Sequence, residues 1–443
     1  MPRRLTPVPS CRPYPSAPAV VAALAVLLAG GCRQDDDRSV VVEFWAMGSE
    51  GEAVQQLVPD FERRTPGVHV RVQQIPWSAA HEKLLTAYVG ESMPDVFQAG
   101  NTWIPELAAL GAVEALDDRI KDSPSVQRAD YFSGILDTNV IDGRTFGVPW
   151  YVDTRLLFYR SDLLAEAGEA DVPPTWEAWR TAMVRVKSRG GPAQYAILLP
   201  LAEWQTPVIL GLQAGAQLLK DDDQYGDFRS PAFRRAFDFY LDLFNADLAP
   251  RTGETQVANV YQDFAAGYFA FYVTGPWNLG EFARRLPAAL DGRWSTAPMP
   301  SPDREYPGVS LAGGASVALC RTSPSQAAAW RWIEYLSEPA QQAAFYRLTG
   351  DLPARRSAWE RAALVDDRLA RAFWRQLQRV RATPKIPEWE RIASKITQYT
   401  EAAVRGRMSA DEALAALDAD VDRILEKRRW LRRRQATSVP DAR

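Results

Sequence analysis

The chain has 443 residues, more than one hydrophobic core usually organises, so two domains are expected. Its hydrophobic fraction of 47% and charged fraction of 24% are those of a globular protein. A net charge of −3 argues against nucleic acid as the main partner. The two histidines, His69 and His81, make a metal hydrolase or a catalytic triad unpromising. No catalytic residue, metal or cofactor is predicted.

The N-terminus has the order of a secretory signal. Arginines come first, then an apolar stretch over 17–28, then the small residues 29–31 before Cys32. The apolar part is short for a membrane span. Its ending resembles a bacterial lipobox, in which the cysteine thiol is lipidated after cleavage. We therefore predict a signal peptide over 1–31, lipidation of Cys32 and a polar tether over 32–38, with simple secretion or an uncleaved anchor as alternatives.

Strand and helix patterns alternate through the first part of the chain beyond the tether. The run 40–45 is β-branched and aromatic, and apolar residues at helical spacing follow Ser49, which is expected to cap that helix. Strands at this spacing, separated by helices, predict a βαβ lobe with a largely parallel sheet. The predicted strands are 40–45, 68–75 and 95–98; the predicted helices start at Ser49 and cover 79–90 and 104–110.

A second series of elements follows. The predicted strands are 156–160, 195–199, 268–273 and 315–319, the last preceded by Gly313-Gly314; the predicted helices are 162–167, one opening at 173–176, 232–244, 256–266 and 324–336. The tail from Ser357 is predicted to be helical throughout. Cys320 ends an apolar run and is expected in the core. The stretch 427–434 is basic; a solvated helix end is favoured over a membrane-surface or partner patch.

An ordered set of short motifs extends over some 300 residues. The motifs are Phe44-Trp45 with Ser49-Glu50, Phe61-Glu62 with Pro66-Gly67, Pro94 to Phe97 with Trp103, Ala109 to Val113 with Leu116-Asp117, Gly147 to Trp150 with Asp153 and Tyr159-Arg160, Pro174 to Trp176, Gly275-Pro276-Trp277, Gly313-Gly314, and Gly350 to Arg355. In this order they resemble the family 1 extracellular solute-binding proteins, which include maltose- and trehalose-binding proteins.

The resemblance implies an α/β, periplasmic-binding-protein-like fold: two lobes, each with a central mainly parallel sheet, joined by a hinge. Lobe 1 would be 39–149 plus 311–350, and lobe 2 would be 150–309 plus 351–434. It also implies a monomeric, non-enzymatic protein that binds a carbohydrate and delivers it to the permease subunits of an ABC importer. Such a protein would be held by its lipid at the periplasmic or extracellular face of the cytoplasmic membrane.

A sugar offers hydroxyls at its rim and C–H groups on its faces, which suit carboxylates, amides and aromatic rings. Ligands of such sheets lie beyond the carboxyl ends of the parallel strands. The resemblance and this rule together predict twelve ligand-binding residues: Glu50, Asn101, Trp103, Trp150, Tyr151, Asp153, Glu203, Trp204, Trp277, Gly313, Gly314 and Arg355.

Several of the predicted contacts have a structural alternative. Glu50 can simply favour a helix start, and Trp103 can pack on the following helix. Trp150 and Tyr151 can pack in the hinge, and Trp277 can belong to a core. Arg355 has a neighbour, Arg356, that could take its place.

Three rival functions remain open at this level. Paired carboxylates in an aromatic cleft are also what a glycoside hydrolase needs. The same fold could bind a polyol phosphate, although Glu50 and Asp153 would repel phosphate. A sensor subunit that presents its ligand-bound form to a membrane receptor is the third.

Overall fold

The computed structural model describes residues 39–251, 259–303 and 305–438, with side chains to residue 434. The predicted signal peptide, Cys32 and the tether lie outside these residues, as does the beginning of the predicted helix 256–266. Within the chain, Val40–Arg443 forms one compact unit by itself. None of the described helices is both long and apolar enough to cross a membrane.

Fifteen strands are described, several of them only two residues long. They are β1 Val40–Met47, β2 Val68–Ile75, β3 Val96–Gly100, β4 Val140–Ile141, β5 Arg144–Thr145, β6 Val148–Asp153, β7 Leu156–Arg160, β8 Tyr195–Leu198, β9 Leu219–Lys220, β10 Tyr225–Gly226, β11 Phe269–Thr274, β12 Trp294–Ala297, β13 Ser310–Leu311, β14 Gly313–Leu319 and β15 Val380–Arg381.

Nineteen α-helices are described beside them. They are α1 Gly48–Ala53, α2 Val58–Arg64, α3 Trp77–Val89, α4 Ile104–Leu110, α5 Asp117–Asp122, α6 Ser133–Asp137, α7 Ser161–Glu166, α8 Trp176–Gly190, α9 Gln205–Gln213, α10 Pro231–Asn245, α11 Val260–Ala265, α12 Trp277–Arg285, α13 Gln326–Ser337, α14 Pro339–Thr349, α15 Arg356–Arg361, α16 Ala370–Leu377, α17 Trp389–Val404, α18 Ala410–Ile424 and α19 Glu426–Ser438.

Two sheets organise these elements. The first has the order β2-β1-β3-β14-β6 and the second the order β12-β7-β11-β8. In each sheet one strand runs against the others, β14 in the first and β7 in the second. Both reversed strands come directly after a crossing from the other sheet. A chain that crosses at the carboxyl ends of the parallel strands must enter the next sheet from that edge, so it runs antiparallel.

The first crossing is short, because only Thr154 and Arg155 link β6 to β7. The return crossing from β12 to β14 is longer and includes β13, which Ala312 links to β14. β13 also pairs in parallel with β15. The strand β14 begins with Gly313 and Gly314, and a Cβ at either position would lie 2.3 Å from a carbonyl oxygen of β6. Gly314 also has a φ of +139°, so glycine is required for this close approach of backbones.

The observed β6 reaches Asp153, so the first sheet includes residues on the second side of the boundary predicted at 149. The limits of the two lobes therefore stay a prediction. Cys320, at the end of β14, is buried as expected.

Two local predictions are wrong. Ser49 does not cap α1, because the N-cap position is Met47; the Ser49 hydroxyl instead donates to Glu50 Oε2 at 3.3 Å. The tail is not helical throughout, because α16 ends at Leu377 and α17 begins only at Trp389. Pro384 and Pro387 fall in this interval, where each removes a backbone donor and blocks a continuous helix.

Candidate ligand-binding site

A cavity of about 570 Å³ lies where the two sheets meet. Its walls come from strand ends of the first sheet, from the starts of α9 and α12, which follow strands of the second sheet, from the crossings and from the segment after β15. Five aromatic side chains and four carboxyl groups are among its lining residues. These residues are Ser49, Glu50, Trp77, Gly100, Asn101, Thr102, Trp103, Tyr151, Val152, Asp153, Arg155, Trp204, Gln205, Trp277, Leu311, Ala312, Gly313, Gly314, Asp351, Thr383 and Glu390.

Glu50 is held in one orientation by hydrogen bonds. Its Oε1 accepts from the Tyr151 hydroxyl at 2.9 Å and from the indole N–H of Trp77 at 3.2 Å. The Tyr151 hydroxyl accepts in turn from Gln98 Nε2 at 2.9 Å, and Gln98 Oε1 accepts from the Met47 N–H at 2.7 Å. Because the chain of donors ends on the backbone of β1, the carboxylate is positioned before any ligand arrives.

Asn101 offers a donor that the protein does not use. Its Oδ1 accepts from the Ser316 hydroxyl at 2.9 Å, which fixes the amide plane. Its Nδ2 is buried and has no hydrogen-bond partner among the described residues. A buried polar group without a partner is costly, so this N–H group is suited to a polar ligand in the cavity.

Asp351 is a buried carboxyl group in the same wall, with 6% of its surface exposed. Burial, together with the neighbouring charges of Glu50 and Asp153, raises the pKa of Asp351 to about 8 against the opposing effect of the hydrogen bond from Thr349. At neutral pH the group therefore keeps its proton. It can donate a hydrogen bond, whereas Glu50 Oε1 accepts hydrogen bonds from Tyr151 and Trp77.

Arg155 joins the two sides of the cavity. Its guanidinium lies 3.1 Å from Asp153 Oδ1 and 3.5 Å from Glu203 Oε2, and it is 4.4 Å from the centre of the Trp277 ring. The Arg155 carbonyl oxygen accepts from the Ser310 hydroxyl at 2.6 Å. Trp277 thus rests on a cation whose charge two carboxylates already balance.

The start of α17 forms another part of the wall. Burial raises the pKa of Glu390, against a hydrogen bond with Thr102 and the charge of His81. His81 Nε2 lies 2.8 Å from Glu106 Oε2. Glu390 follows β15 in the chain and Thr102 follows β3, so this hydrogen bond connects elements far apart in sequence at the edge of the cavity.

The structure brings nine of the twelve predicted residues to the cavity: Glu50, Asn101, Trp103, Tyr151, Asp153, Trp204, Trp277, Gly313 and Gly314. A tenth, Glu203, is connected to it through Arg155. Their contact with a ligand stays a prediction.

Trp150 and Arg355 do not line the cavity. Trp150 lies where the pairing of β6 with β14 shifts register, and its buried ring stacks on Phe345 with 4.3 Å between the ring centres. Arg355 is 3% exposed; its Nε donates to Asp130 Oδ2 at 2.7 Å and one Nη to the Ser337 carbonyl at 2.8 Å. Trp150 therefore packs in the core, and Arg355 forms hydrogen bonds within the protein.

Several lining residues were not predicted. Trp77 follows β2, so the rule of carboxyl strand ends would have indicated it. Asp351 lies in the motif that ends at Arg355, and the ligand contact in that motif was predicted for the arginine and not for Asp351. Arg155 comes two residues after Asp153. Nothing in the sequence near Glu390 marks it, because its position depends on how the tail packs back.

The fold and the cavity define a two-lobed binding protein. The family described as "Bacterial extracellular solute-binding protein" matches residues 46–343. The sugar-binding protein MalE of Xanthomonas citri, a solved structure, is 50% identical; the match covers 88% of this chain and 99% of that one, with a TM-score of 0.85. The diacetylchitobiose-binding protein DasA of Streptomyces coelicolor is 25% identical over 410 residues, 89% of this chain and 94% of that protein.

The chain belongs to the bacterial extracellular solute-binding protein family, which confirms the resemblance and the two-lobed fold. The family consists of binding proteins. A more distant structure, UgpB of Mycobacterium tuberculosis in complex with glycerophosphocholine, is 22% identical, with 88% of this chain and 99% of that one covered and a TM-score of 0.73. At this identity the likeness shows the shared fold alone.

Proposed function

We propose that the chain is the substrate-binding component of an ABC importer and captures a neutral mono- or oligosaccharide in the cavity between its two sheets. The observation that carries the proposal is the composition of that cavity, in which aromatic rings and fixed hydrogen-bonding groups line the same space. The similarity to MalE and DasA, two proteins named for sugar binding, supports the same ligand class.

The hydrogen-bonding groups match a polyhydroxylated ligand. Glu50 accepts, the amide N–H of Asn101 donates and the protonated Asp351 donates, so a sugar hydroxyl finds both kinds of partner. The rings of Trp204 and Trp277 supply negative faces for the sugar's C–H groups. Arg155 holds Trp277 in place and does not need to contact the ligand.

A polyol phosphate is the alternative ligand, and the charges disfavour it. Among the described lining residues Arg155 is the one Lys or Arg, and Asp153 and Glu203 already balance its charge. A phosphate would also meet the carboxylate of Glu50. A desolvated anion without a free cation is unfavourable, so neutral sugars fit the cavity better.

The proposal includes binding without chemistry, in contrast to a glycoside hydrolase, and delivery of the ligand to a permease, in contrast to a sensor subunit. We further propose that the protein is a monomer whose lobes lie near the predicted limits. Lipid attached at Cys32 would hold it at the outer side of the cytoplasmic membrane, where it delivers the sugar to permease subunits. Stable anchoring by acyl chains is consistent with about 0.8 kcal/mol per buried methylene.

Thermal unfolding against a ligand panel tests the proposal. A neutral sugar at about 1,000 times its Kd should raise the unfolding free energy by about 4 kcal/mol. Polyol phosphates at the same concentration should leave the Tm unchanged. Larger stabilisation by a phosphate would overturn the choice of ligand, and new reducing ends after incubation with an oligosaccharide would overturn binding without chemistry.

A further inference from the structure

A strongly basic helix ends the described part of the chain. Six of the eight residues from Lys427 to Arg434, in α19, are Lys or Arg, and the sequence has no Asp or Glu between Glu426 and Asp441. The whole chain has a formal charge of −3, so the residues outside these six together carry −9. This short element is thus strongly basic in a protein whose other residues are acidic in sum.

One face of α19 is attached to the protein. Arg428 lies 2.9 Å from Glu388 Oε2, and an Nη of Arg429 donates to the Gln224 carbonyl at 2.8 Å. Arg432 is 3.7 Å from Asp222. These arginines occupy positions i, i+1 and i+4, which share one side of a helix. The contacts fix the helix on the surface and determine which of its residues face outward.

The opposite side of the helix, which we call the outer face, consists of Lys427, Trp430, Leu431 and Arg434. All four are exposed and are spaced i, i+3, i+4 and i+7. Trp430 is 52% exposed and Leu431 is 44% exposed, and the Arg434 guanidinium lies 4.7 Å from the Trp430 ring. The other described Trp that is exposed, Trp77, lines the cavity.

We propose that the outer face docks on the surface of an anionic lipid bilayer. A helix that presents Trp and Leu flanked by Lys and Arg has the composition of a segment that lies in the membrane interface. Trp prefers the headgroup level, and each Lys or Arg near an anionic surface adds about fivefold to binding. A solvated helix end would account for the arginines but not for an exposed Trp beside an exposed Leu.

The charge distribution also favours the orientation in which the outer face, and not another part of the protein, meets the bilayer. The acidic remainder of the chain is repelled by anionic headgroups, whereas the outer face is attracted to them. Docking would therefore hold the protein in one orientation at the membrane. This inference does not depend on which ligand the cavity binds.

Vesicle flotation tests the docking. The chain from Arg33 to Arg443 retains the compact unit Val40–Arg443 and lacks Cys32, so no acyl chain can contribute. It should float with vesicles of about one part phosphatidylglycerol to three parts phosphatidylcholine, and not with phosphatidylcholine alone. The double variant Lys427→Glu/Arg434→Glu should lose about twentyfold or more in binding, and Trp430→Ala/Leu431→Ala about tenfold.

A matched double variant, Lys121→Glu/Val89→Ala, changes an exposed lysine and an exposed apolar residue elsewhere and should float like the wild type. Equal Tm values for all four proteins would establish that each is folded. Absence of flotation by the wild type, or an equal loss in the matched variant, would overturn the proposal.

Discussion

The two sides of the cavity hold their functional groups in different ways. On the side of the first sheet, Glu50 and Tyr151 are buried and connected by hydrogen bonds that end on the backbone of β1. On the side of the second sheet, Trp204 and Trp277 are half-buried, and Trp277 rests on a guanidinium group.

The difference indicates a division of roles. Hydrogen bonds are directional, so the groups that recognise hydroxyls need fixed positions, which the first sheet supplies. Ring-face contacts depend less on direction and more on area, so half-buried rings on the second side suffice. Arg155 connects the two sides, because it pairs with Asp153 at the end of β6 and lies against Trp277 at the start of α12.

The largest combined effect on stability and ligand affinity is expected when the side chain of Arg155 is replaced. Arg155→Met should lower the unfolding free energy by about 2–4 kcal/mol, near the low end for a broken buried ion pair because Asp153 and Glu203 remain partly hydrated. It should also weaken ligand binding, since Trp277 loses its support. Urea unfolding and isothermal titration calorimetry measure the two effects.

Arg355→Met is the matched control, since it breaks a comparable pair with Asp130 away from the cavity. It should destabilise the protein by a similar amount and leave the Kd unchanged. A weaker affinity in this variant would instead support the ligand contact that the sequence predicted for Arg355.

A smaller effect on ligand affinity is expected when only a ring on the side of the second sheet is removed. Trp277→Ala should weaken binding by about 1–2 kcal/mol, roughly tenfold, with little change in fold, because one aromatic contact with the sugar is lost. Trp430→Ala removes an exposed Trp far from the described cavity lining and should leave the Kd unchanged. An unaltered affinity in Trp277→Ala would remove this residue from the site.

Sequence reasoning was most successful where a functional residue follows a strand directly. Glu50, Asn101 and Trp277 each come just after a strand whose composition is readable, and all three line the cavity. The strand periodicity also gave the correct elements around them. A strand's carboxyl end can be located from local pattern alone, so such residues are predictable.

Residues whose place depends on long-range packing were less predictable. Arg355 and Asp351 belong to one motif, yet the arginine turns toward Asp130 and the carboxyl toward the cavity. Glu390 reaches the wall because the segment between α16 and α17 is not helical. Local pattern cannot specify which of two neighbouring polar side chains is turned inward.

The effect of pH on ligand affinity tests whether the protonated carboxyl group of Asp351, and not only the amide of Asn101, donates a hydrogen bond to the sugar. The Asp351 pKa of about 8 lies above the value of about 4 in an unfolded chain, so between these pH values the folded protein holds the extra proton. The unfolding free energy should therefore fall by about 5 kcal/mol as pH rises through this window, at about 1.4 kcal/mol for each of the roughly four pH units. Sugar affinity should likewise fall above about pH 8, when Asp351 loses the proton that it donates.

Asp351→Asn should remove both dependences, because an amide donates at every pH and does not ionise. Asp418 is a matched carboxyl outside the described lining whose pKa is also raised by burial, and Asp418→Asn should keep the wild-type change of affinity with pH. Calorimetric titrations with the sugar between about pH 6 and pH 9 measure the change of affinity, and urea unfolding at the same pH values measures the change of the unfolding free energy. A wild-type affinity that stays constant over this range would show that Asp351 does not donate its proton to the sugar.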